Sequence, residues 1–189
     1  MAILSEVVKR QVATSAEQSV PMLTDIADSA RGLVGSMRDI VWAIDPRRDD
    51  LGNVVARIRQ FASDVLEGKG IEWDFSTPSE IDRIRLGPDQ RRHILLFFKE
   101  AITNVARHSD CTFARLNIEV AHNRLVGEVR DDGRGFAIAT AERDSTDGRG
   151  GQGLENMRRR VSQLGGTLSI DSSPGRGARL KLTIPLKKP

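Results

Sequence analysis

The spacing of apolar residues changes near Pro46, and this change limits the possible folds more than any other feature of the 189-residue sequence. Before Pro46, apolar residues recur at alternating steps of three and four, the heptad pattern of a helix packed against other helices. After Pro46, segments that alternate apolar and polar residues are interleaved with helical segments, which predicts a sheet with helices. We therefore predict two units, residues 1–46 and 47–189.

The first unit is predicted to be a helical hairpin. A short helix over residues 3–12 is followed by a polar turn that ends at Pro21, and a longer helix stops at Asp45-Pro46. Its apolar stripe is wider than one short helix can cover, so we expect a second copy of the chain to complete a four-helix bundle. The heptad positions are Leu23, Ile26, Ala30, Leu33, Met37, Ile40 and Ile44.

The second unit is predicted to be an α+β sandwich, a mixed sheet with helices on one face. Two alternating segments around His122-Asn123 predict a β-hairpin, and Gly165-Gly166 predicts the end of a helix. The predicted helices span residues 50–67, from Pro88 onward and 154–164, and the predicted strands span residues 71–75, 113–120, 125–130, 167–170 and 178–185.

The helix that begins at Pro88 carries a column of polar side chains. Glu100, Asn104 and His108 follow one another at four-residue spacing, so a regular α-helix places them on one face, beside an apolar side that belongs to the core. A solvated helix face is one interpretation of this column. A polar binding site is the other.

Three glycine-rich stretches carry further candidates. In DDGRGF, Gly133 and Gly135 allow a sharp turn next to a ligand, and Asp131 holds a carboxylate at the end of a strand. In GRGGQGLENM, glycines lead into a helix whose free N–H groups and positive end form an anion site. In SPGRGARL, a plain hairpin turn is at least as consistent with the residues as contact with a ligand.

Two nucleotide-binding motifs are excluded. No G-x-x-x-x-G-K-[ST] occurs, so the chain is not a P-loop enzyme. Gly148, Gly150 and Gly153 satisfy G-x-G-x-x-G, but the dinucleotide-binding fingerprint needs a strand directly before the first glycine, and the residues there are polar.

Composition limits the partners and the compartment. The net charge of +3 comes from mixed charges without interleaved aromatic residues, so nucleic acid is not an expected partner. Cys111 is the single cysteine, which excludes an internal disulfide and fits a reducing compartment. Without a signal peptide or an apolar run near the ~20 residues of a membrane helix, we expect a cytoplasmic domain. Whether a longer parent is anchored in the inner membrane is left open.

The order and spacing of these motifs resemble a known family. Glu100, Asn104 and His108 form E-x-x-x-N-x-x-x-H, Asp131 begins D-x-G-x-G, and G-x-G-L follows at residues 151–154. This series resembles the N, G1 and G2 boxes of the GHKL ATPase superfamily. Within it, the chain resembles the catalytic ATP-binding domain of a bacterial sensor histidine kinase, and SMRDIVWAIDP is similar to the second dimerisation helix of the nitrate-sensor and thermosensor type.

The resemblance implies a site for Mg²⁺ and ATP. Asn104 would bind Mg²⁺ through its amide oxygen, and Glu100 would hold or polarise a metal-bound water. His108 and Arg107 would lie near the phosphates, and Asp131 would accept a hydrogen bond from the adenine amino group. The remaining implied contacts are Gly133 and Gly135 at the base, Gly151, Gly153 and Leu154 at the phosphates, and residues 137–150 as a mobile lid.

Some residues depart from the family pattern. Asp132 stands where asparagine is more usual, and Ala178 stands where a small hydroxyl residue is common. Neither change removes a group that the implied mechanism needs, but both leave the affinity for nucleotide open.

No histidine in the sequence matches a phospho-acceptor on the first bundle helix. His93 lies among arginines, His122 lies in a hairpin turn and His108 belongs to the ATP box. We therefore expect residues 1–46 to be a partial dimerisation hairpin from a longer kinase whose acceptor lies upstream. The alternative is a protein that naturally lacks the acceptor.

The resemblance thus implies a kinase that dimerises through its hairpin and whose full-length parent passes phosphate to a response regulator receiver domain. Two other functions remain as alternatives. One is a serine protein kinase of the anti-sigma-factor type, which shares the ATP boxes. The other is a non-catalytic dimerisation module with a vestigial nucleotide site.

Overall fold

The chain was studied as a computed structural model, which describes residues 49–138 and 152–186 together with six separate residues between 35 and 45. It divides into two units, Met1–Ile44 and Asp45–Pro189. Most of the predicted hairpin, Gly151 and all of the predicted lid after residue 138 lie outside the described residues, so those predictions stay predictions.

The second unit contains the helices and strands that the sequence predicts for residues 47–189. Its helices are α1 (Leu51–Leu66), α2 (Pro88–Asn104) and α3 (Gln152–Gln163). Its strands are β1 (Glu72–Ser76), β2 (Phe113–Ala121), β3 (Arg124–Asp131), β4 (Thr167–Ser172) and β5 (Ala178–Pro185). Within the described ranges, no helix has the length and apolar content needed to cross a bilayer.

The five strands form one mixed sheet in the order β1-β2-β3-β5-β4. β1 and β2 are parallel and are connected through α2, whereas the other neighbouring pairs are antiparallel. The β2–β3 hairpin turns at His122 and Asn123, both of which have positive φ angles, as a two-residue turn between twisted strands requires.

One face of the sheet is buried under the helices and the other is exposed. On β5, the buried residues Ala178, Leu180, Leu182 and Ile184 alternate with more exposed polar ones, and β2 and β3 alternate in the same way. The predicted α+β sandwich with helices on one face is therefore confirmed.

Aromatic packing sets the distance between α2 and the sheet. The ring of Phe98 lies 5.3 Å from that of Phe97 and 6.1 Å from that of Phe75, centroid to centroid. Opposite it on β3 is Gly127, where an added Cβ would lie 3.0 Å from the Phe98 ring. Because this position has no side chain, α2 can lie close against the sheet.

The first turn of α2 is held by buried polar contacts. Gln90 accepts a hydrogen bond from the backbone N–H of Gly87 (3.1 Å) and donates one to the carbonyl of Pro185 (3.1 Å). Arg91 is only 2% exposed, and its guanidinium donates to the carbonyls of Leu86 (3.0 Å) and Asp45 (3.4 Å). These contacts fix the helix whose other end carries the predicted polar column.

Candidate functional site

Two members of the polar column lie where the spacing predicts them. Glu100 and Asn104 are partly exposed and stand one turn apart at the end of α2, about 5–6 Å between Cβ atoms. Beyond Asn104 the chain forms a single π turn over Val105–Ser109 and not a regular α-helix. Arg107 and His108 lie in this turn and are both exposed, and the place of His108 in the column stays a prediction.

Local hydrogen bonds accompany the π turn. The hydroxyl of Ser109 donates to the carbonyl of Val105 (2.6 Å) and accepts from the N–H of Cys111 (3.2 Å), while Asp110 adopts a left-handed conformation with φ 50°. Side-chain hydroxyls that bond to the carbonyl four residues earlier commonly distort a helix.

The carbonyls at this helix end are bound by Arg134, a residue that the sequence alone did not single out. Its side chain donates from Nε to the carbonyl of His108 (2.6 Å), and its backbone N–H donates to the carbonyl of Ser109 (2.7 Å). The guanidinium also lies 3.3 Å from the carboxylate of Asp110. A cation at the end of a helix is favourable because the free carbonyls there are negative. Arg134 therefore fastens the DDGRGF loop to α2.

Asp131 is a buried carboxylate at the end of β3. It is 7% exposed, and one of its oxygens accepts a hydrogen bond from the N–H of Gly133 (2.9 Å). Burial raises the pKa of this carboxyl group, and the backbone N–H groups of Gly133 and Ala178 partly oppose that rise. A buried group of this kind is suited to accept a hydrogen bond from a ligand donor.

Glycines surround Asp131 because three backbone segments approach one another too closely for side chains. A Cβ on Gly133 would overlap the carbonyl of Ser109, one on Gly135 would overlap that of Ser173, and one on Gly177 would overlap that of Asp131 itself. The third glycine stretch is therefore more than a plain hairpin turn, since it also packs against the residue at the centre of the candidate site.

Asp132 has a separate structural role. Its exposed carboxylate accepts hydrogen bonds from the N–H (3.0 Å) and hydroxyl (2.9 Å) of Thr112 and from the N–H of Phe113 (3.0 Å). These donors lower its pKa, the Phe113 N–H most strongly. Three donors favour an acceptor-only side chain, which accounts for an aspartate at this position.

Glu100 lies against the start of α3. A Cβ on Gly153, in the first turn of that helix, would overlap the carboxylate of Glu100. The positive end of a helix favours a carboxylate there. Arg160 lies two turns further along α3. Burial lowers the pKa of Arg160, and its attraction to the Glu100 carboxylate partly opposes that lowering. The predicted anion site thus already has a protein carboxylate beside it. Leu154, the residue after Gly153, is partly buried.

A metal at this place would need ligands beyond the protein. Among residues 49–138 and 152–186, no three His, Cys, Asp or Glu side chains cluster closely enough to hold a metal ion. Glu100 and Asn104 supply hard oxygen donors, the type that Mg²⁺ prefers, and Mg²⁺ commonly takes its remaining ligands from water and substrate phosphates. The residues present therefore fit Mg²⁺ bound together with a phosphate ligand.

Sequence comparison identifies relatives among signalling kinases. The profile of "Histidine kinase-, DNA gyrase B-, and HSP90-like ATPase" matches residues 89–188. An uncharacterized sensor-like histidine kinase of Chloroflexus aurantiacus is 23% identical over 97% of this chain and 31% of its own length. The histidine-protein kinase/phosphatase DegS of Bacillus subtilis is 27% identical over 73% of this chain and 35% of its own. The chain thus spans about a third of the length of these relatives.

Solved structures share the fold. The histidine kinase domain of the Erythrobacter litoralis EL346 blue-light activated kinase superposes with a TM-score of 0.61 at 22% identity, over 85% of this chain and 81% of that one. The Acinetobacter baumannii histidine kinase AdeS gives a TM-score of 0.60 at 18% identity, over 86% and 81% of the two chains. The arrangement of sheet and helices described above is therefore that of histidine kinase domains.

Replacing Asp131 by Asn should change the pH dependence of stability. Because the folded state raises the pKa of Asp131 above 3.8, its contribution to stability is full below that pH and is lost as pH rises through the folded value. The melting temperature of Asp131→Asn relative to wild type should therefore increase between pH 4 and pH 7 in the absence of nucleotide. Calorimetric melts across this range test it, and a difference that does not vary with pH would contradict the buried charge.

Two glycines of the β4–β5 turn provide a matched pair. Gly175 (φ 77°) and Gly177 (φ 69°) are both left-handed, but a Cβ meets nothing within 4 Å at Gly175 and overlaps the carbonyl of Asp131 at Gly177. Gly175→Ala should cost only the left-handed strain, about 1–2 kcal/mol. Gly177→Ala should cost more, because the backbone must also move. Denaturant unfolding measures both, and equal losses would show that the close approach is unimportant.

Proposed function

Because the chain belongs to the family of histidine kinase-, DNA gyrase B- and HSP90-like ATPases, we propose that residues 47–189 bind Mg²⁺-ATP as the catalytic domain of a two-component sensor histidine kinase. The phosphoryl group would pass to a histidine other than the three in this sequence. The main support for the proposal is the buried carboxylate of Asp131. Backbone segments pack closely around it, at the same end of the fold as Glu100 and Asn104.

Asp131 would select adenine. Its carboxylate is acceptor-only when ionised, so it can accept a hydrogen bond from the exocyclic amino group of adenine. Guanine presents a carbonyl oxygen at the corresponding position, and two facing acceptors repel each other. The loop containing Gly133 and Gly135 would form the wall beside the base, since its backbone is already fastened by Arg134.

Glu100 and Asn104 would hold Mg²⁺ beside the phosphates. The first turn of α3, with Gly151, Gly153 and Leu154, would receive the phosphates on its free N–H groups. Phosphate and the Glu100 carboxylate would then share one helix end, and like charges so close require a cation between them. When bound, Mg²⁺ neutralises charge on the phosphates. The exposed Arg107 would add positive charge at the end of α2, and His108 would lie beside it near the phosphates.

The proposed catalysis rests on positioning rather than on covalent chemistry. Phosphoryl transfer needs an acceptor in line with the terminal phosphate, and charge stabilisation does most of the remaining work. In this proposal the domain orients ATP, and residues 137–150 close over it as a lid. The acceptor would be presented by the helical unit of a longer parent chain.

Dimerisation through the helical unit is the second part of the proposal. Met37, a heptad position, and Val41, which widens the apolar stripe four residues later, are 66% and 64% exposed. Large apolar side chains at such spacing favour contact with another helix, here the hairpin of a second copy. A response regulator receiver domain would take phosphate from the assembled full-length kinase. We prefer a histidine kinase to a serine kinase of the anti-sigma-factor type, because only the histidine kinase needs the predicted helical hairpin.

Removing the amide of Asn104 should abolish the metal-dependent part of ATP binding. We expect Asn104→Ala to weaken ATP at least about tenfold in the presence of Mg²⁺, the effect of one lost contact to a charged group, and to change little in EDTA. Asn117→Ala, on the exposed face of β2, is the matched control. Titration calorimetry measures both variants. Unchanged ATP affinity in Asn104→Ala with Mg²⁺ would refute the metal assignment and favour a vestigial site.

The chain should bind ATP without labelling itself. Incubation with γ-labelled ATP should give no phosphohistidine on His93, His108 or His122, because none matches the acceptor pattern. A parent chain that includes an acceptor histidine on its first bundle helix should become labelled there, and Asn104→Ala should prevent it. Acid-lability and peptide mapping identify the product. Phosphohistidine on any of the three named residues would contradict this part of the proposal.

A further inference from the structure

The exposed face of the sheet carries three arginines on neighbouring strands. Arg115 on β2 is directly opposite Arg130 on β3, and Arg130 is directly opposite Arg179 on β5. Asp74 on β1 and Asp171 on β4 complete the row at its two ends. Like charges directly opposite each other on paired strands destabilise a sheet. The row of arginines is therefore expected to lower the stability of the sheet, and nothing in the packing of the sheet requires it.

Only the two outer arginines of the row form ion pairs with neighbouring carboxylates. Arg115 lies 3.4 Å from the carboxylate of Asp74, and Arg179 lies 2.7 Å from that of Glu128. Glu128 and, more weakly, Asp171 raise the pKa of Arg179. For the central Arg130, no carboxylate within residues 49–138 and 152–186 lies at ion-pair distance. The middle of the row thus keeps an exposed positive charge.

A cleft opens beside this charge. Its volume is about 460 Å³, and its lining includes the guanidinium-bearing residues Arg130, Arg176 and Arg179 with Asp171 as the single acid. The β4–β5 turn forms one wall and is held by two bonds, from the N–H of Arg176 to the carbonyl of Ser173 (3.1 Å) and from the hydroxyl of Ser172 to the carbonyl of Gly177 (3.0 Å). The walls are therefore fixed by strands and a bonded turn.

We propose that this cleft binds a compact oxyanion with two or more negative charges, such as a diphosphate or a small polycarboxylate. Guanidinium groups bind phosphate and carboxylate oxygens in a bidentate manner, and three arginines that line one cleft favour a ligand with several such oxygens. The volume is in the range of small-molecule sites. An anion here would also relieve the repulsion along the row.

The charged side of the cleft faces away from Asp131, although Gly177, which packs against the main chain of Asp131, also lines the cleft. Arg130 and Asp131 are adjacent on β3, so their side chains point to opposite faces of the sheet, Arg130 to the exposed face and Asp131 to the buried one. The inference therefore does not depend on the proposed kinase function.

The test is calorimetric titration of pyrophosphate and, in a second arm, citrate, at 0.15 M salt and without divalent cations. Arg130→Gln should weaken binding at least about tenfold, as expected for lost charge-assisted hydrogen bonds. Arg115→Gln removes the same charge from the adjacent strand but does not line the cleft, so it should change affinity less than about twofold at this salt concentration. The arm that binds more tightly identifies phosphate or carboxylate as the ligand class.

Thermal melts provide a second readout. Without anion, Arg130→Gln should be at least as stable as wild type, because the repulsion is removed. Pyrophosphate should raise the melting temperature of wild type and of Arg115→Gln more than that of Arg130→Gln. Arg176→Gln, on the exposed turn, serves as a second variant that leaves the strands unchanged. The proposal would be overturned if neither anion bound in the millimolar range, or if Arg130→Gln and Arg115→Gln lost the same amount of anion affinity.

Discussion

The close approach of three backbone segments around Asp131 is the constraint on which the candidate site depends. The segment after α2, the loop after β3 and the β4–β5 turn lie very near one another. As a result, Gly133, Gly135 and Gly177 have no space for a side chain. Backbone hydrogen bonds then join the segments, since Arg134 donates to the carbonyl of Ser109 and accepts from the N–H of Gly175. The position of the buried carboxylate is therefore set mainly by main-chain atoms and little by side-chain rotamers.

Helix α2 links this constraint to the rest of the domain. Its apolar side forms the core through Phe98 and its neighbours, and its first turn is tied down through Gln90 and Arg91. The partly exposed side carries Glu100 and Asn104, so the polar column stands beside an apolar face because one helix serves both the core and the site. A rigidly packed helix holds polar ligands in place better than a loop does.

Local patterns in the sequence were sufficient to predict the helices and strands of the second unit and the turn at Gly133 and Gly135. Alternation predicts the strands because one face of the sheet is buried, and Gly133 and Gly135 mark a turn because few other residues fit it. The π turn could not be predicted in this way, because it forms where Ser109, a left-handed Asp110 and the distant Arg134 act together. The arginine row was likewise hidden, since it depends on strand order and register.

The order of strands in the sheet has a consequence for how the protein acquires its site during synthesis. β5 follows the other four described strands in the sequence, yet it lies inside the sheet between β3 and β4. Until it has left the ribosome, β3 lacks one of its two neighbours and β4 has no partner in the sheet. The wall that Gly177 forms against Asp131 is made at the same late step. A nascent chain can therefore form α2 and the β2–β3 hairpin early, but it cannot enclose Asp131 until β5 has been synthesised.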